Sequence, residues 1–196
     1  AAATPDTSNG LDAAAAGATE GLRRALNVAA MLIAFVAILA LIDWPITALG
    51  ETRVGDSVES LLGVEALSLA SVLGVAFLPI AFGMGLTGGD ASSVASLLGT
   101  SMIATEFIAY LQLGEMIQTA TDGSGISPRA AAVASFALCG FANLPSIAIQ
   151  IGGLSALAPE RRADIASLGP RAMLAGAMTC WMTGCIASVL LPASPA

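Results

Sequence analysis

LLGTSMIATEFIAYLQLGEM, residues 97–116, sets a carboxylate, Glu106, in the middle of a run that is otherwise almost entirely apolar. Placing an ionisable side chain near the centre of a bilayer costs at least about 2.5 kcal/mol on insertion scales, so such residues face a polar cavity, an ion path or a substrate. The matching stretch is GFANLPSIAIQIGG, residues 140–153, where Asn143, Pro145, Ser146 and Gln150 interrupt a second apolar run. Two interrupted apolar segments in one membrane chain point to a site at mid-membrane.

Composition supports a membrane setting. The 196 residues are 56% hydrophobic and 11% charged, whereas ordinary soluble domains are about 25% charged. A formal net charge of −7 argues against nucleic acid as a partner, because binding to phosphate needs clustered Lys and Arg. The seven basic residues are all Arg, with no Lys and no His, so a Lys Schiff base and a His-based dyad or metal site are both excluded. Cys139, Cys180 and Cys185 fall in apolar stretches without metal-ligand spacing and are expected to be small core residues. The chain opens on Ala1, and residues 1–18 lack the charged leader and apolar core of a signal peptide. We therefore expect a C-terminal fragment of a longer protein, with an N-terminal half that supplies part of any site.

Residues 26–42 (LNVAAMLIAFVAILALI), led by the Ala-rich 13–21, are long enough to cross a hydrocarbon core of about 30 Å. Asp43, Trp44 and Pro45 are expected to end that helix at the membrane boundary, and a loop carrying Glu51, Arg53, Asp56 and Glu59 follows. The apolar segment 64–86 contains Gly74, Pro79, Gly83 and Gly85. If it spans, Arg23 and Arg24 lie across the membrane from Arg161, Arg162 and Arg171. If it lies along the interface, those five Arg share one side, as the positive-inside rule favours. It is therefore taken as an interfacial or re-entrant helix on the outer side.

Residues 88–119 then form a re-entrant helical hairpin, with Asp90 and Ser92 as candidate caps and a break near 99–105. Irregular backbone at membrane depth is allowed only where it is buried in protein or lines a cavity. Polar residues 118–125 follow, and Ser127 and Pro128 open a discontinuous helix reaching 157. Residues 159–164 (PERRAD) make a basic inner turn before the last span and a short outer tail, 192–196. The expected fold is an all-α integral membrane protein: transmembrane helices, a re-entrant helical hairpin and a discontinuous helix.

Glu106 is either a packing carboxylate, paired with an Arg or kept protonated, or a group that accepts hydrogen bonds from a ligand or carries a proton. A carboxylate suits a polyol because charge-assisted bonds are roughly twice as strong as neutral ones. At the second interruption Pro145 is expected to leave carbonyls around Phe141 without helical partners. Asn143 supplies a donor and an acceptor, Ser146 a hydroxyl and Phe141 a flat face, a set suited to a neutral aromatic ligand. The alternative is a packing kink, since Pro and Gly are common in membrane helices.

The segment GFANLPSIAIQIGGLSALAPERRADIASLGPRAML resembles the concentrative nucleoside transporter family, whose C-terminal region carries GFAN-x-x-SI followed by IGG-x-x-ALAPERR. GTSMIATEFIAYLQL resembles the same family's G-T-K-x-x-x-NEFVAY, and ALNVAAMLIAFVAILALI resembles its preceding membrane helix. The resemblance covers nearly the whole chain in order. It implies that Glu106 binds ribose hydroxyls, with Phe141, Asn143 and Ser146 lining the same pocket. It also implies a homotrimer in the cell's inner (plasma) membrane and an elevator-like motion coupled to Na⁺ or H⁺.

In that scheme 1–60 is a scaffold helix with an outer loop, and 61–87 is interfacial. Residues 88–196 are half of the transport domain: hairpin 88–119, broken helix 128–157 and last helix 168–191. Ser101 stands where the family has Lys, Thr105 where it has Asn, and Pro145 where it has Ser or Gly. The family's first hairpin, which contacts the nucleobase and, in Na⁺-coupled members, forms much of the cation site, lies outside this chain, so the cation ligands stay unassigned. The expected function is cation-coupled nucleoside uptake rather than enzymatic turnover; a membrane scaffold or intramembrane enzyme is the alternative. An enzyme needs a nucleophile–base pair or a metal cluster, and the sequence suggests neither.

Overall fold

The computed structural model describes residues 9–64, 66–120 and 125–192. Residues 1–8, residue 65, residues 121–124 of the polar stretch and the tail beyond Pro192 lie outside the described set. The described residues are organised as eight α-helices and a short 3₁₀ turn.

Helix α1, Gly10–Gly50, starts where the Asn9 side chain accepts the Asp12 N–H at 2.9 Å. Its 41 residues make it about 60 Å long at 1.5 Å per residue. Ile33, Val36, Ile38 and Leu41 are all exposed along its apolar stretch. A helix that is apolar all round suits lipid or another helix rather than water. Pro45 does not end it: the helix continues five residues further. The Thr47 hydroxyl donates to the carbonyls of Trp44 (2.9 Å) and Asp43 (3.3 Å) beside the proline, while the ring leaves the Leu41 carbonyl one turn back without its helical N–H.

The expected outer loop is a helix. Thr52 accepts the Gly55 N–H and opens α2, Arg53–Leu62, which Gly63 closes at φ 68°, a conformation that glycine takes without a Cβ penalty. The segment 61–87 is therefore not one continuous helix. A new one, α3 (Leu69–Gly83), begins at a reciprocal cap between Ser68 and Ser71. Asp43 of α1 accepts the Leu69 N–H at 2.6 Å, and Glu59 of α2 accepts the Leu67 N–H at the same distance. Polar side chains from both preceding helices thus fix where α3 starts.

Helix α4, Gly88–Ile103, runs back along α3. Gly74 faces the backbone of Ser96, and Gly99 faces the Ala70 carbonyl and the Gly74 nitrogen. Asp90 does not cap α4: its N-cap is Thr87, without a side-chain bond. Asp90 instead accepts the Ser127 N–H (3.0 Å) and hydroxyl (2.6 Å). Helix α5, Glu106–Thr119, leaves α4 at Ala104 and Thr105 and folds back on it. The base of this pair is marked by Gly125, packed on Met116 and Ala120, and by the Asp90–Ser127 bonds. Ala91, Val94, Leu97, Leu113, Val133 and Leu138 belong to the core that joins α3, α4 and α5 to α6, Pro128–Ala137.

After a six-residue break the chain resumes as α7, Leu144–Leu157, which packs on α1. Pro145 sits in the first turn of α7 rather than inside a helix, where its missing N–H costs nothing. The 3₁₀ turn Pro159–Arg161 leads directly into α8, Arg162–Leu190, so the last helix begins six residues before the expected 168 and carries Pro170 within it. It runs antiparallel to both pieces of the broken helix: Gly184 lies on Ala137, Gly176 on Ala142 and Gly169 on Ile147. Small residues let membrane helices approach closely. Helices α1 and α8 are long and apolar enough to cross a membrane.

The α3–α4 contact gives a direct test. A Cβ at Gly99 would lie 2.7 Å from the Gly74 nitrogen and closer still to the Ala70 carbonyl, whereas one at Gly114 would meet nothing within 4 Å. Gly99→Ala is expected to cost about 1–3 kcal/mol by overpacking and to lower the thermal unfolding midpoint. Gly114→Ala should leave the midpoint unchanged or raise it.

Candidate functional site

Two helix starts converge at the tip of the α4–α5 pair. Ala104 (ψ −102°) and Thr105 (φ −152°) leave helical geometry, Thr105 caps α5, and Glu106 is its first residue. On the other side the chain uncoils after α6 and recoils at Asn143, the N-cap of α7. The Asn143 amide nitrogen donates to both Glu106 carboxylate oxygens at 2.8 Å. Glu106 is 5% exposed and Asn143 3%. The N-terminus of an α-helix carries a partial positive charge, so the start of α5 stabilises a carboxylate there.

Asn143 uses its other atoms to hold its own helix. Its side-chain oxygen accepts the Ser146 N–H at 2.7 Å, and its backbone N–H donates to the Ser146 hydroxyl at 3.1 Å, which in turn donates to the Asn143 carbonyl at 2.6 Å. Capping and contact with Glu106 are therefore compatible, because one amide offers an acceptor to the helix and a donor to the carboxylate. The alternative of a Glu106–Arg pair is not what forms: the ion pairs among the described residues are Arg24–Glu20 and Arg161–Asp164. A carboxylate has about four lone-pair directions, so Glu106 keeps acceptor capacity for ligand hydroxyls.

The structure brings Glu106, Asn143 and Ser146 together and leaves Phe141 apart. Phe141 lies in the uncoiled link and is 82% exposed. It lines a cavity of about 440 Å³ between α7 and α8, with Ser146, Gln150, Leu168 and Met173 among its walls. Glu106 and Asn143 are not in that lining, so Ser146 links the buried pair to the cavity. Cys139 departs from expectation: it lies exposed in the link, while Cys180 and Cys185 are half-buried. Ser101, in the family's Lys position, donates its hydroxyl to the Leu98 carbonyl of its own helix.

Tyr110 is the residue to which the sequence assigned no role. Its hydroxyl donates to the Ser135 carbonyl of α6 at 2.6 Å. The available signal was position, four residues after Glu106 and hence on the same helix face.

The family described as "Na+ dependent nucleoside transporter C-terminus" matches residues 1–188. An uncharacterized transporter of Bacillus subtilis (strain 168) is 42% identical, over 93% of this chain and 42% of its own. Solute carrier family 28 member 3 of Eptatretus stoutii is 40% identical, over 93% of this chain and 27% of its own. CNTnw carrying two substitutions, solved in an outward-facing state, superposes with a TM-score of 0.80 at 38% identity, over 93% of this chain and 43% of its own. CNTnw in an inward-facing substrate-bound state gives 0.66 at 37%, over 98% and 45%. The chain thus spans less than half the length of each of these proteins.

The dual role of Asn143 predicts an order of stabilities. Asn143→Ala loses both the cap and the amide donor. Asn143→Ser keeps a good capping group but leaves Glu106 without its partner, a loss of about 1–3 kcal/mol. Ser146→Ala weakens the cap and leaves the contact with Glu106 in place, a loss of about 0.5–1 kcal/mol. Thermal midpoints should fall in the order Ser146→Ala, Asn143→Ser, Asn143→Ala, with Asn143→Ala lowest.

Proposed function

The chain belongs to the Na⁺-dependent nucleoside transporter family, and on that premise we propose that the whole protein is a cation-coupled symporter that takes up nucleosides with Na⁺ or H⁺. The observation that carries the proposal is the buried Glu106–Asn143 pair at two converging helix starts. In this assignment the remaining lone pairs of Glu106 accept the ribose hydroxyls, Asn143 aligns the carboxylate, and Ser146 and Phe141 line the approach from the α7–α8 cavity. Charge-assisted bonds to vicinal hydroxyls favour a sugar over a free base.

The remaining assignments follow the same premise. Residues 88–196 form half of a mobile transport domain, with 88–119 as a re-entrant hairpin and 128–157 as a broken helix. Residues 1–60 form scaffold, and α3 lies near the outer interface. An elevator-like motion is carried over from the family resemblance; CNTnw itself is known in outward-facing and inward-facing states. The exposed apolar length of α1 suits contact with lipid and with neighbouring protomers of a homotrimer in the inner plasma membrane.

Uptake by the full-length protein in proteoliposomes, with and without a Na⁺ gradient, tests the function. Glu106→Gln keeps the shape while losing the charge-assisted bonds, so ribonucleoside binding should weaken by about 1.5–3 kcal/mol, or roughly ten- to a hundredfold. Analogues lacking the 2′ and 3′ hydroxyls should lose little, and near-normal uridine and adenosine uptake by Glu106→Gln would refute the assignment. Topology is tested separately by labelling cysteines introduced on each side. Positions near Arg23, Arg24, Arg161 and Arg162 should react from the cytoplasm and positions near Glu51 and Pro192 from outside; opposite sides for 51 and 192 would mean that the segment 64–86 spans.

A further inference from the structure

Tyr110 stands one helical turn beyond Glu106, and its hydroxyl reaches across to α6, donating to the Ser135 carbonyl at 2.6 Å. That carbonyl is one of the last of its helix. The Leu138 N–H still bonds Ala134 (2.9 Å), but the Cys139 N–H turns to Phe136 (3.5 Å) rather than to Ser135. The terminal carbonyls of a helix lack intrahelical partners and need another donor. The phenol supplies one immediately before the chain uncoils, and Asn143 closes the gap on the far side by bonding Glu106. Two bonds from one helix, four residues apart, thus bracket the break between α6 and α7.

The two bonds do not respond alike to a ligand. A ligand that bonds Glu106 shares the carboxylate with the Asn143 amide, so that contact changes as the site fills. The Tyr110–Ser135 bond involves neither group. We propose that Tyr110 is a positioning residue: its hydroxyl fixes the end of α6 to α5 and so holds Asn143 at bonding distance from Glu106 while the site fills and empties. The proposal rests on the assignment of Glu106 and Asn143 to nucleoside binding, and it adds a residue that touches no substrate.

The test uses the full-length protein in nanodiscs, with two readouts. Hydrogen exchange without nucleoside reports the tether itself. Tyr110→Phe should speed exchange at amides 138–146 about two- to tenfold, the change given by loss of one neutral hydrogen bond, with exchange across α8 unchanged. Nucleoside affinity should fall by a similar factor at an unchanged maximal uptake rate, and the same substitution should have no further effect in a Glu106→Gln background. Unchanged exchange at 138–146 overturns the proposal, as does a loss of affinity that persists undiminished in that background or a rise in exchange spread over the whole chain. If Glu106→Gln itself binds nucleoside normally, the site assignment fails, while the exchange readout still decides the tether. Should Tyr110→Phe fold poorly, 3-fluorotyrosine at position 110, a stronger donor, should slow exchange at 138–146; no slowing counts against the tether.

Discussion

The contact between the Asn143 amide and the Glu106 carboxylate is the interaction on which the rest of the arrangement depends. A buried carboxylate without a partner is costly in any low-dielectric setting, and within bonding distance Asn143 meets that need with a bidentate bond at 2.8 Å. For both groups to reach this point, two helices must stop at mid-length. The chain therefore breaks at Ala104–Thr105 and again between Ala137 and Leu144, and each break is closed by a capping side chain, Thr105 or Asn143. Caps satisfy the orphan N–H groups that a break creates, so the polar residues that interrupt the apolar runs are the ones that make the interruptions tolerable.

Holding such a tip in place falls to the far end of the bundle and to its seams. At the base, Asp90 holds the start of α6 through Ser127. Arg129 donates to the Ser188 carbonyl and hydroxyl at 2.8 Å and to the Gly85 carbonyl at 3.4 Å, joining α6, the end of α8 and the α3–α4 turn. Along the seams, Gly74 with Gly99 and Gly169, Gly176 and Gly184 of α8 bring backbones into close approach. Dispersion between closely packed surfaces then does what the hydrophobic effect cannot do between helices already in lipid. Close-packed seams around a polar tip hold its geometry in place.

Helix boundaries were the least legible feature, and the reasons differ from case to case. Pro45 read as a stop but sits inside α1, which runs on to Gly50. Residues 53–62 read as a loop from their charge, yet Thr52 and Gly63 cap them as a helix. The last helix was expected only from 168, yet the basic turn runs straight into it and α8 begins at Arg162. Proline and charge are local signals, and neither decides a boundary where another local contact, such as the caps at Thr52 and Gly63, favours a helix.

The sequence by itself determined the membrane setting, the two interrupted segments and the polar residues that serve them. An apolar run cannot carry a carboxylate and an amide without a compensating environment, and that requirement is written in residue type alone. The tertiary structure decided how the residues are shared out. It gave Asn143 both the cap and the carboxylate, set Phe141 apart beside the α7–α8 cavity, and joined Tyr110 to Ser135 across 25 positions of chain. The physical reason is that these contacts depend on the angle and depth at which separate helices meet. Close packing at glycines fixes both, and no periodicity along a single helix encodes them.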